Sequence, residues 1–132
     1  MGDNRLAVVH HESTIGKLIC DYARTIGYVG ESHTAGNSTT ADQVLDFLRE
    51  VNPTLLFLGE SWGQGHPRRG EGVKALTSIL ESHPDLPIVM VSGGPSYKDS
   101  AIASGAREYW ITPDLASLKI ILNKYFMKNP QS

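Results

Sequence analysis

The chain has 132 residues, 40% hydrophobic and 20% charged, with a formal net charge of -2, which is enough for one domain with one well-formed core and too little for two. That balance, with a pI near 6.2, gives no electrostatic footprint for nucleic acid, so DNA binding by this domain alone is disfavoured. No run approaches the roughly 18 apolar residues of a membrane span, and Met1 to Arg5 carries no signal-peptide pattern.

In chain order, Leu6 to Val9 is a short apolar run that stops at His10-His11-Glu12. Ile15, Leu18, Ile19, Tyr22 and Ile26 then recur at helical spacing, with Gly27 as a stop, so Thr14 to Ile26 is expected to be a helix with one buried face. The single cysteine, Cys20, lies inside this pattern and is read as a reduced, buried thiol in a cytoplasmic protein. Tyr28 to Ser32 reads as a weaker strand. Thr40-Ala-Asp-Gln43 is a capping box ahead of Val44, Phe47, Leu48 and Val51, a second amphipathic helix ended by Asn52-Pro53. Thr54 to Leu58 is apolar throughout, as a strand covered on both faces should be, and a third helix spans about Val73 to Ser82. After the break at His83-Pro84 come a strand at Pro87 to Val91, a short helix at Tyr97 to Ser104, a strand at Glu108 to Ile111 and a last helix at Leu115 to Met127.

Such alternation implies a single α/β domain with a doubly wound parallel sheet, the flavodoxin-like (βα)5 winding with strand order 2-1-3-4-5. Residues 5–127 form the domain, and residues 1–4 and 128–132 are expected to be flexible ends. In this fold the carboxyl ends of the strands share one rim, where ligands and chemistry gather. That rim collects His10-His11-Glu12, Gly59-Glu60 and Ser92-Gly93-Gly94.

These segments resemble the receiver domains of two-component response regulators, from about Arg5 to Phe126. Arg5-Leu-Ala-Val-Val-His-His-Glu12 is similar to the family's first strand, which ends in two acidic residues followed by Glu; here His10 and His11 hold the acid positions. Pro53-Thr-Leu-Leu-Phe-Leu-Gly59 is similar to its third strand, whose last position is the phosphoacceptor aspartate; here it is Gly59. Pro87-Ile-Val-Met-Val-Ser92 keeps the hydroxyl that follows the phosphoryl group. Gly105-Ala-Arg-Glu-Tyr-Trp-Ile-Thr-Pro113 keeps the switch aromatic at Tyr109 and the final proline, but carries Thr112 where the family has lysine. The resemblance also implies a cis bond at Thr112-Pro113.

The departures have chemical consequences. Magnesium wants hard oxygen ligands, for which neutral imidazoles are poor replacements. Phosphoryl transfer needs a nucleophile and a charge-neutralising cation, and Gly59 has no side chain while Thr112 has no charge. The expectation is a pseudo-receiver: no cofactor, no metal, no enzymatic activity, and signal transduction by phosphorylation-independent protein-protein interaction. The partner is a protein or a second copy docking on the face of the fourth helix, fifth strand and last helix, with Tyr109, Trp110, Leu118 and Leu122 as its surface; an output domain in a longer protein is a further candidate, and nucleic acid and membrane are not. The alternatives are a phosphoryl group accepted at a non-standard residue, or metal or small-ligand sensing at the rim.

Three details stay open at this level. A regular strand would aim Glu60 away from the pocket, a solvated loop glutamate, whereas a bulge at Gly59 would turn it inward to imitate a modified acceptor. His10, His11, Glu12 and His66 have metal-ligand chemistry, but adjacent strand residues do not converge on one ion. The stretch Gly59 to Gly72 holds five glycines in 14 residues and reads as a mobile surface loop; Gly65 and Gly70 have P-loop spacing, but Glu71-Gly72 replaces the required Lys and Ser/Thr. Trp62 in that loop is either a cap on the vacated pocket or an exposed partner-binding aromatic, and Arg68-Arg69 is either a site for an acidic partner or solvated.

Overall fold

In the computed structural model, which describes residues 4–63 and 68–127, the strands are β1 (Arg5–His10), β2 (Val29–Thr34), β3 (Leu55–Gly59), β4 (Ser61–Trp62), β5 (Arg68–Arg69), β6 (Ile88–Ser92) and β7 (Glu108–Ile111). The helices are α1 (Ser13–Ile26), α2 (Ala41–Val51), α3 (Glu71–Ser82), α4 (Lys98–Ala103) and α5 (Leu115–Tyr125). The main sheet is five-stranded and parallel in the order β2-β1-β3-β6-β7, which is the expected 2-1-3-4-5 winding of the βα units.

Both faces of the central strands are covered, and their side chains divide by alternation. Ala7, Val9, Leu56, Leu58, Ile88 and Met90 pack on one side with α2 and α3. Leu6, Val8, Leu55, Phe57, Val89 and Val91 pack on the other with α1 and α5. A period of two with apolar residues at every position is what a doubly covered strand requires.

Local signals place the helix ends. In the capping box of α2, Gln43 N–H donates to Thr40 Oγ1 (3.2 Å) while Thr40 N–H donates to Gln43 Oε1 (3.1 Å). Asn52 then closes the helix in the left-handed region, at φ 51°, ahead of Pro53. Thr112-Pro113 is cis.

Two expectations are corrected here. Asn4 is not a frayed end: it is buried, its side-chain amide donates to the Met127 carbonyl (2.8 Å), and Met127 N–H donates back to its Oδ1 (2.6 Å). The stretch after Gly59 is not simply a mobile loop, because β4 and β5 form a small antiparallel hairpin, and α3 begins at Glu71 rather than Val73. Arg68 ties that hairpin down by donating to the carbonyls of Gly36 and Thr39 (3.2 and 3.1 Å). His66, Gly65 and the segments 1–3 and 128–132 lie outside the described residues. Among the described residues, no helix is long and apolar enough to cross a membrane.

Candidate functional site

The strand register carries the expected residues to one rim. Val9 is level with Leu58, Gly59 with Val91, and Ser92 with Ile111, so His10, Gly59, Ser92 and Thr112 stand together at the carboxyl ends of β1, β3, β6 and β7. A cavity of about 280 Å³ opens there, walled by His10, His11, Glu60, Arg69, Ser92 and Thr112. A larger groove of about 600 Å³, between Pro53, Pro84 and Phe126, lies at the opposite pole, away from the strand carboxyl ends.

Glu60 is where the structure departs most from expectation. It is buried, and its carboxylate turns inward: Ser92 Oγ–H donates to Oε1 (3.2 Å) and Gly70 N–H donates to Oε2 (3.1 Å). The solvated loop glutamate is therefore corrected. Strand alternation does not govern this side chain, because β3 ends at Gly59 and the chain is already turning, with Gly72 N–H donating to the Glu60 carbonyl (3.1 Å). The sequence carried no signal for the two donors, which lie 10 and 32 residues further along the chain. Removing them from service should be costly. Glu60→Ala leaves a buried hydroxyl and a buried amide without their acceptor and is expected to cost about 2–4 kcal/mol in urea denaturation, with Glu60→Gln costing about half as much.

Position 59 is tightly placed against the end of β1. A Cβ at Gly59 would meet His10 Cδ2 and the Val9 carbonyl oxygen at 3.1 Å each, so the imidazole and the strand end would have to give by a few tenths of an ångström to admit a side chain. Glu12 N–H donates to His10 Nδ1 (3.0 Å), which places the proton of the neutral ring on Nε2, as assigned from the hydrogen-bond network. His11 has the opposite arrangement: the Ser61 carbonyl can only accept, so His11 Nδ1 donates to it (3.1 Å). The rings stack with centroids 4.7 Å apart instead of converging on a common point. Among the described residues, no group of three or more His, Cys, Asp or Glu is placed to hold a metal ion.

Burial, and secondarily the neighbouring His11, push the His10 imidazole down from 6.5 to about 4. The unfolded chain therefore takes up this proton first. Between pH 6.5 and about 4 the fold should lose stability as pH falls, by an amount on the order of 3 kcal/mol that is fully present above 6.5. Urea midpoints followed across that range should fall less steeply for His10→Gln than for the wild type.

The expected interaction face is partly corrected. Trp110, Leu118 and Leu122 are fully buried in the core under α1 and α5, and Tyr109 is half-buried with its hydroxyl donating to the Gly94 carbonyl (2.6 Å). The large apolar residues that α4, β7 and α5 do expose are Ile102, Ile111, Leu115 and Ile120. Trp62 is not a partner-binding aromatic on an arm: it is 1% exposed, belongs to the core beneath α2 and α3, and its Nε1–H donates to the Gly59 carbonyl (3.0 Å). Arg69 lines the rim cavity, with its guanidinium 5.4 Å from the centroid of the Tyr97 ring.

No protein-family model matches the chain. Over 121 residues it is 28% identical to the nitrogen assimilation regulatory protein NtrX of Azorhizobium caulinodans, a match that covers 90% of this chain and 25% of that protein. The chain thus spans about a quarter of the length of the curated relative it matches. The receiver domain of NtrX from Brucella abortus superposes with a TM-score of 0.73 at 27% identity, covering 91% of this chain and 96% of that one. The chemotaxis protein CheY4 of Vibrio cholerae superposes with a TM-score of 0.75, covering 95% and 100%; at 14% identity that likeness shows the fold alone. The fold is that of the CheY-like receiver domains, and the chain's neighbours in sequence and structure are the receiver domains of response regulators.

Proposed function

We propose that this domain is a pseudo-receiver, a signal-transduction module that acts by binding a protein and not by accepting a phosphoryl group. One observation carries the reading: the acceptor position is Gly59, and the carboxylate beside it, Glu60, is already bonded to the Ser92 hydroxyl. In the resembled family that hydroxyl follows the phosphoryl group. Here a permanent side chain holds it, and the same carboxylate takes the Gly70 amide. The loop after β6 is held a second time, through the Tyr109 hydroxyl on the Gly94 carbonyl. In this arrangement the Ser92 hydroxyl and the Gly70 amide have their acceptor without any covalent event.

The chemistry around the rim supports the same conclusion. The positions of the family's acid pair hold His10 and His11, a phosphoryl group has no attackable oxygen at position 59, and Thr112 supplies no ammonium for the developing charge. Binding then falls to the surface of α4, β7 and α5, where Ile102, Ile111 and Leu115 present apolar area to a protein partner or to an output domain of a longer chain. Treatment with a small acyl phosphate or phosphoramidate in the presence of Mg²⁺ tests the reading by intact mass spectrometry. The expected spectrum shows no added phosphoryl mass, and a Mg²⁺-dependent adduct would overturn it.

A further inference from the structure

The edge strand β2 is an open hydrogen-bonding template with room on both sides. Val29 N–H and Ala35 N–H donate to the Asn4 and His10 carbonyls (2.8 Å each), so odd-numbered residues turn their main-chain groups toward β1. Gly30, Ser32 and Thr34 therefore turn theirs outward, away from the sheet. Neither flanking helix covers that edge. A groove of about 410 Å³ beside Val29, Glu31 and Phe47 runs along one face of the strand. Another of about 470 Å³ beside Gly30, Ser32 and Thr34 runs along the other. An added strand would drop its alternate side chains into the two. Val29 is 62% exposed, and the sequence Val-Gly-Glu-Ser-His-Thr has neither the proline nor the lysine that commonly blunt an edge.

We propose that this edge pairs with the β2 edge of a second copy of the chain, antiparallel about a two-fold axis, joining two five-stranded sheets into one. The occupant and the register both follow from the strand's own chemistry. Only registers that face even residues with even residues bring outward donors opposite outward acceptors. Centring the axis on Ser32 faces Ser32 with its own copy and Gly30 with Thr34, and it sets Glu31 directly across from His33 of the second copy, twice by symmetry. A shift one allowed step in either direction faces Glu31 with Glu31, or His33 with His33. The carboxylate opposite an imidazole N–H is favoured and the like pairs are not. His33 is already held on the Glu31 side of the strand by its packing on Phe47, with ring centroids 5.3 Å apart.

This interface lies at the opposite edge of the sheet from β7, so it leaves the α4, β7 and α5 face open, and it stands whether or not the rim accepts a phosphoryl group. Sedimentation of the full chain from micromolar to millimolar concentration should show a monomer–dimer equilibrium. In the same series the Gly30, Ser32 and Thr34 amides should become protected from hydrogen exchange as concentration rises, while Glu31 and His33, already bonded to β1, should not change. Glu31→Lys should weaken dimerisation about tenfold, and Glu31→Lys with His33→Glu should restore most of it. Unchanged exchange in the central strands serves as the check that each variant is folded. A monomer at millimolar concentration, a dimer without the alternating protection, or a charge swap that fails to restore affinity overturns the proposal.

Discussion

Trp62→Ala is expected to cost about 3–5 kcal/mol in equilibrium urea denaturation, the loss typical of deleting a fully buried aromatic. Its indole sits at 1% exposure within the core under α2 and α3, and its Nε1–H is spent on the Gly59 carbonyl. The substitution therefore opens a cavity and leaves the end of β3 without its partner at the same time. The consequence reaches the rim, because Gly59 precedes Glu60, whose carboxylate holds Ser92 and Gly70. An aromatic carried on a solvated arm would behave otherwise: its removal would leave stability within about 0.5 kcal/mol of the wild type. The measurement separates a structural hairpin from a recruiting one.

Gly72→Ala should be as damaging, and its sign is the informative part. Helix propensity alone makes alanine better than glycine by about 1 kcal/mol inside a helix such as α3. The packing says the reverse. A Cβ at Gly72 would lie 2.0 Å from the Gly59 carbonyl oxygen, 2.8 Å from its carbon and 2.9 Å from Glu60 Cα. All three are backbone atoms that cannot step aside without moving the strand end. We expect a loss of about 3 kcal/mol or more, together with weakening of the bond from Gly72 N–H to the Glu60 carbonyl. A thermal melt showing Gly72→Ala as stable as the wild type would mean that α3 does not rest on the end of β3.

The alternation of strands and helices is legible in the chain because it depends on local pattern. Leu55 to Leu58 and Ile88 to Val91 are apolar at every position, and a run so short, bounded by proline on one side and small residues on the other, suits a strand covered on both faces. The rim is legible for the same reason, since it is where those runs stop. What escapes the sequence depends on partners far away in the chain. Glu60 turns inward because Ser92, 32 residues on, offers a hydroxyl. The hairpin is held in place because Arg68 finds carbonyls 32 and 29 residues back. Leu118 and Leu122 resemble a docking stripe by composition, yet α5 turns them to the sheet and leaves Ile120 outside. Periodicity reports that a face exists and says nothing about which way it looks.

His10 and Gly59 also show that the residues of the rim are not independent. The His10 ring crowds the position that a side chain at residue 59 would start from, with 3.1 Å between its Cδ2 and that Cβ position. Changing one without the other crowds or empties the same space.

Asn4 and Met127 grip each other through a reciprocal pair of bonds of 2.8 and 2.6 Å, at the pole opposite the rim. Traction applied through both ends would load this clasp before it stretched any strand of the sheet. A neighbour hauling on the chain would thus strain the far pole, while Glu60, Ser92 and Gly70 kept their mutual hold.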